Sequence, residues 1–150
     1  MVKLAMLRTL RVREVMTEAI VLLRTHTGTT EAWEQLHRAG IQGAPVLDDR
    51  GRLAGVLSMA DLADPRRRAP LATDGTVGDA MTRVVYAVRA DDPVVTAIRL
   101  MLEENIHRAV VVNDDGSLAG IVVPMDILRA LVTDDDGAVE YFDLRKIHGG

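Results

Sequence analysis

A chain of 150 residues that is 48% hydrophobic and 27% charged has the composition of a folded globular unit, which excludes a largely disordered one. A net charge of −4 argues against a polynucleotide partner, and the absence of cysteine excludes disulfides and thiolate metal sites. No apolar run approaches the roughly 20 residues that cross a bilayer, and the N-terminus lacks a signal-peptide pattern, so a soluble, cytoplasmic protein without membrane insertion is expected.

Residues 1–11 carry Leu4, Leu7 and Leu10 beside Met6, which fits a short helix or an arm packed on a neighbour. Val12–Met16 reads as a helical turn ending at Thr17, and Ile20–Leu23 as a short buried strand. Thr29 and Thr30 offer capping oxygens for a helix to about Ala39, with Glu31 in its first turn and Gly40 just past its end. Ala44–Leu47 and Arg52–Ser58 read as strands joined by the tight turn Asp48-Asp49-Arg50-Gly51. A helix over Met59–Ala63 is halted by Pro65, because the residue before a proline avoids helical dihedrals. Residues 65–76, with two prolines, a glycine and Arg66–Arg68, read as a linker whose arginines are solvated.

The order then recurs as the turn Val77–Met81, strand Val84–Val88, helix Pro93–Glu104, strands Ala109–Val112 and Ser117–Val123, and helix Pro124–Val132. That last helix is apolar nearly all round, which argues for burial at a subunit interface. Residues 133–150 form an acidic turn and a tail holding Tyr141 and Phe142, suited to docking on the body or on a partner.

The recurrence is a true repeat. Shifted by 65 positions, Val12, Met16, Thr17 and Arg24 meet Val77, Met81, Thr82 and Arg89 without a gap. At the same shift Ile41, Ala44, Val46, Gly51, Gly55 and Asp61 meet Ile106, Ala109, Val111, Gly116, Gly120 and Asp126. Self-similarity at one fixed offset marks a duplicated structural unit. The expected fold is α+β, with βαββα repeats over 12–64 and 77–132, strands central and helices outside.

The motifs Val12-Arg-Glu-Val-Met16-Thr17 and Val77-Gly-Asp-Ala-Met81-Thr82 open the copies. Asp48 to Asp61 and Asn113 to Asp126 close them, with the shared pattern Leu-Ala-Gly followed by a terminal Asp. Together they resemble the cystathionine-β-synthase (CBS) domain, which occurs as tandem pairs, here in a chain made of the pair alone. The resemblance implies a pseudo-two-fold pair with two clefts between the copies. It also implies adenosine ligands there (AMP, ADP, ATP or S-adenosylmethionine, with Mg²⁺ accompanying ATP), further homodimerisation, and energy-sensing regulation of a partner enzyme or transporter.

The resemblance assigns site residues by position. Asp61 and Asp126 match the ribose-binding carboxylates, since one carboxylate accepts from both vicinal hydroxyls; both equally fit an acidic helix cap. Ser58 matches the hydroxyl beside the ribose or phosphate, whereas Val123 has lost it, so unequal occupancy of the clefts is expected. His107 and Arg108 match a phosphate-facing basic pair that copy one replaces with Gln42-Gly43, and Arg108 could serve a ligand held by Asp61. Ile20, Val85, Ala44, Pro45, Ala109 and Val110 match positions flanking the adenine, and Thr17 is grouped with them at the cleft.

The four histidines lack ligand spacing, and no nucleophile elbow, P-loop or dinucleotide fingerprint is present, so no enzymatic activity and no resident metal are expected. Two further readings remain at this stage: a ligand-free dimerising adaptor, motivated by Val123 and Gln42-Gly43, and nucleic-acid binding through Arg66–Arg68, which the acidic balance disfavours.

Overall fold

The computed structural model describes residues 2–18, 21–64, 75–83 and 85–132. Helices α1 (Val2–Thr9) and α2 (Val12–Val15) lead into strand β1 (Leu23–Arg24), helix α3 (Thr29–Ala39), strands β2 (Gly43–Leu47) and β3 (Leu53–Ser58), and helix α4 (Met59–Ala63). The second series is α5 (Val77–Ala80), β4 (Ala87–Arg89), α6 (Val94–Glu104), β5 (Ala109–Val112), β6 (Leu118–Val122) and α7 (Pro124–Leu131). Each series makes a three-stranded sheet in which the first strand runs parallel to the second and the second pairs antiparallel with the third. Both hairpins carry a register shift at the same place, Val46/Leu47 and Val111/Val112. Their turns close on Gly51 (φ +76°) and Gly116 (φ +83°), a left-handed conformation that glycine adopts without penalty.

The cores follow from the amphipathic helices, but they do not follow the sequence repeat. Leu23, Ala32, Leu36, Ala44, Val46, Leu57 and Leu62 bury together, and Val77, Ala80 and Met81 from the start of copy two complete this cluster. Reciprocally, Val12 from the start of copy one is buried among Val88, Val94, Ala97, Ala109, Val111, Val122 and Ile127. Each copy lends its opening helical turn to the other. Helix α1 packs on α6, with Leu7 and Leu10 against the second core, so the N-terminal segment is a helix docked on its own chain.

Backbone hydrogen bonds tie these exchanged turns in place, and each has a mate 65 residues away. The Val12 amide donates to Asp92 and that of Val77 to Thr27, both at 2.8 Å. Arg13 donates to Ala90 as Gly78 does to Thr25, and Val94 to Leu10 as Thr29 does to Gly75. Just beyond, Thr17 and Ile121 exchange two bonds of 2.9 Å, and Val56 and Thr82 exchange bonds of 3.0 and 2.9 Å. This is a pseudo-two-fold written in individual bonds.

Three expectations shift. Strand one holds Leu23–Arg24 and leaves out Val21 and Leu22, and strand four holds Ala87–Arg89 and leaves out Val85 and Tyr86. Ile20 and Val84 lie outside the described residues, as do the linker arginines Arg66–Arg68, Tyr141 and Phe142. The α3 cap is Gly28, with no side-chain bond, and the Thr29 hydroxyl is buried without a partner, so neither threonine caps as expected. Gly40 does end that helix in the left-handed region (φ +66°), as Asn105 ends α6 (φ +52°).

The inter-copy bridges need glycine. A Cβ on Gly120 would stand 2.5 Å from the Thr17 carbonyl oxygen, and one on Gly55 the same distance from that of Thr82. Both clashes are with backbone, so the exchanged segment itself must move. Gly120→Ala is therefore expected to cost about 1–3 kcal/mol in denaturant unfolding. Gly28→Ala, with no atom within 4 Å of the added carbon, is expected to cost less than about 1 kcal/mol.

Candidate functional site

The exchange of opening turns places two clefts between the copies. The first, a cavity of about 330 Å³, is lined by Ser58, Ala60 and Asp61 from copy one and by Thr82, Val85, Tyr86, Ile106, His107, Arg108 and Val110 from copy two. The second, about 660 Å³, joins Thr17, Val21, Ile41, Gln42 and Gly43 of copy one to Val123, Met125, Asp126 and Arg129 of copy two. Both volumes fall in the range of small-molecule sites, roughly 300–1,000 Å³.

Helix starts hold the carboxylates. The Ser58 amide donates to Asp61 Oδ2 at 2.9 Å and the Asp61 amide donates to Ser58 Oγ at 3.1 Å, a reciprocal cap. The cap uses one carboxylate oxygen; the other, Oδ1, accepts from the Thr82 hydroxyl at 3.4 Å across the copy boundary. Capping and a place in the cleft are thus compatible in one side chain. Copy two repeats the geometry without the serine: the Val123 amide donates to Asp126 Oδ2 at 3.0 Å and the Thr17 hydroxyl to Oδ1 at 3.3 Å.

Asp126 has a further contact within its own helix. Arg129, one helical turn on from Asp126, donates to its Oδ1 at 3.4 Å, and Asp126 is only 8% exposed. The position matching Arg129 in copy one is Asp64, an acid. Asp126 is thus paired with a cation of its own helix, and Asp61 shares its cavity with Arg108 of the other copy. Burial lowers the Arg108 guanidinium from its ordinary pKa, and the Asp61 carboxylate pulls it back up. At the rim Tyr86 hydrogen-bonds Glu104, which raises the phenol above its ordinary value.

Of the positions named from sequence, Asp61, Ser58, Val85, Val110, His107 and Arg108 come together in the first cavity. Asp126 and Thr17 line the second, which His107 and Arg108 also reach. Ala44, Ala109 and Pro45 are buried in the sheets and line neither cavity, and Ile20 lies outside the described residues. Sequence reasoning missed Thr82, Tyr86, Gly43 and Arg129. The signal for Thr82 was its register with Thr17, and for Arg129 its spacing three residues beyond Asp126. Among the described residues no group of three or more metal-ligating side chains assembles, and no helix is long and apolar enough to cross a membrane.

Comparison with known proteins agrees with this architecture. The CBS domain model matches residues 12–65 and 77–137. The magnesium transporter MgtE of Thermus thermophilus is 36% identical over 143 residues, covering 87% of this chain and 30% of its own. The chain spans between 15% and 30% of the length of such curated relatives. Among solved structures, CBSX2 in complex with AMP is 32% identical with a TM-score of 0.69, covering 80% of this chain and 94% of its own. The CBS domain pair of protein MJ0100, in complex with 5′-methylthioadenosine and S-adenosylmethionine, is 27% identical with a TM-score of 0.70 over the same shares. With both repeats matched and the crossed pair of sheets in place, the chain belongs to the CBS domain family, as a tandem pair.

Proposed function

We propose that this chain is a regulatory module that binds an adenosine nucleotide in the Asp61 cleft and passes its occupancy to a partner protein. The observation that carries the reading is the meeting, in one cavity, of Asp61, Ser58 and Thr82 with Arg108 and His107 of the other copy. Vicinal ribose hydroxyls donate to a carboxylate, an uncharged base packs on Val85, Ile106 and Val110, and a guanidinium clamps phosphate oxygens bidentately. The similar proteins complexed with AMP, 5′-methylthioadenosine and S-adenosylmethionine have the adenosine part of those ligands in common. The far end then decides between them. Arg108 favours an anionic phosphate over a cationic sulfonium, because like charges in a partly desolvated cleft repel.

The Asp126 cleft is the weaker site in this reading. Val123 supplies no hydroxyl where copy one has Ser58, and Arg129 pairs with Asp126 from the same helix. Regulation works through the relative placement of the repeats, which a ligand biases only by its differential affinity for two arrangements. The partner is an enzyme or transporter, the latter suggested by the likeness to MgtE. The pair further forms a homodimer through α7, where Met125 and Leu128, one turn apart, and Val132 just past the helix end are 54%, 51% and 68% exposed.

A thermal-shift panel of AMP, ADP, ATP with and without Mg²⁺, S-adenosylmethionine and 5′-methylthioadenosine tests the binding. At a hundredfold excess over Kd, a ligand of the native state adds about 2.7 kcal/mol, a rise of several degrees. Asp61→Ala is expected to abolish the rise for phosphorylated adenosines; a wild-type chain indifferent to the whole panel defeats the reading. Sedimentation equilibrium tests the assembly: a dimer mass is expected for the native chain and a monomer mass for Met125→Glu/Leu128→Glu. A native chain that sediments as a monomer removes the homodimer from the account.

A further inference from the structure

Arg108 stands where the two clefts meet. It lines the first with Asp61 and the second with Asp126. Its guanidinium occupies the space that a Cβ on Gly43 would fill, with Nη1 and Cζ both inside contact distance of that point. Gly43 is the residue that matches Arg108 in copy one, 65 positions earlier. The long side chain thus lies across the pseudo-two-fold, over its own counterpart, and can do so because that counterpart has no side chain. Gly43 is held at the start of β2, paired with Ser58, so the guanidinium also lies beside the strand end that leads into Asp61.

This packing makes the charge inventory of the clefts asymmetric and shared. In the second cleft copy one contributes the acid Glu18, and, at the positions that hold His107 and Arg108 in the first, the uncharged Gln42 and Gly43. Arg129 also reaches that cleft, but it sits on Asp126. The arginine that lines both clefts, among the described residues, is Arg108. It stays protonated at any ordinary pH. A nucleoside monophosphate carries a charge near −1.5 to −2 at neutral pH, as other phosphate esters do. One guanidinium between two such tails offsets only part of the charge of the first to arrive, so the second faces net negative charge at short range.

We propose that Arg108 is a single phosphate contact shared by both clefts, so that phosphorylated adenosines fill them anticooperatively while uncharged adenosine fills them independently. This rests on the clefts being adenosine sites and adds the rule by which they communicate. The asymmetry between copies is then functional: the glycine in copy one is the vacancy that lets one arginine serve two sites. Coupling of this kind needs no large movement, only that the guanidinium be committed to one side at a time. By linkage, the factor by which the first phosphate weakens the second is the same whichever cleft fills first.

Site-resolved titration of the full chain by ¹H–¹⁵N correlation spectra tests this, with adenosine and AMP as the probes. The amides of Val85 and Ile106 report the first cleft and those of Val21 and Ile121 the second. In the native chain, AMP is expected to fill the clefts in two separated phases, whereas adenosine fills them with simple, independent isotherms. Arg108→Met is expected to weaken AMP at both clefts, each by roughly ten- to a hundredfold, as loss of a charge-assisted contact implies. It is expected to alter adenosine affinity far less than AMP affinity at either cleft, and to remove the separation of phases. Arg108→Lys, which keeps the stem and the charge but not the fork, covers the case in which the methionine variant does not fold; it is expected to weaken AMP at both clefts to a smaller extent. Loss of AMP affinity at one cleft alone, or independent filling by AMP in the native chain, overturns the sharing and leaves the nucleotide reading standing. Absence of any response to either probe overturns both.

Discussion

Two pairs of backbone hydrogen bonds hold the halves of this molecule against each other: Thr17 with Ile121, and Thr82 with Val56. They form because Gly120 and Gly55 present no Cβ, which lets a foreign strand approach to within 2.5 Å of where one would stand. Everything at the clefts depends on that approach. It delivers the Thr17 and Thr82 hydroxyls onto Asp126 and Asp61, and it fixes the copy-two loop with His107 and Arg108 opposite Ser58 and Asp61. Main-chain bonds set this geometry, so surface side chains are left to vary without disturbing it.

On this symmetric frame, charge is distributed unsymmetrically. Copy two carries Arg108 where copy one has Gly43, and Arg129 where copy one has Asp64. The first substitution gives the Asp61 cleft a cation supplied from the other repeat; the second gives Asp126 a cation from its own helix. Asp61 shares its cavity with Arg108 of the other repeat, while Asp126 is paired with Arg129 of its own helix. Duplication followed by a few charge changes thus yields unequal sites without altering the fold.

Much of this was legible in the chain. The fixed 65-residue offset gave the number of units, the glycine-ended turns gave the hairpins, and Ser58-x-x-Asp61 gave both a cap and a candidate site. Other features were not legible, for physical reasons. Self-similarity says which residues correspond, not which copy they pack with, so the lending of α2 and α5 to the opposite cores was invisible. The aliphatic run at 20–23 suggests a buried strand, but of its described residues Leu23 alone is buried and paired while Leu22 is 44% exposed, because an apolar run does not say where its partner's register begins. Thr29 read as a cap because hydroxyls cap helices, but its side chain turns inward and Gly28 takes the position. The role of Gly43 lies in what it lacks, and only the placement of Arg108 over it shows that.

In the proposed complex an adenosine nucleotide lies between the repeats with its ribose on Asp61 and its phosphate toward Arg108. A crystal structure of the chain grown with saturating AMP tests this most directly. The account predicts nucleotide density in the Asp61 cavity, both ribose hydroxyls within hydrogen-bond reach of the carboxylate, and the guanidinium drawn onto the phosphate. An empty Asp61 cavity at saturating AMP, or a nucleotide held there with its phosphate turned away from Arg108, would contradict it.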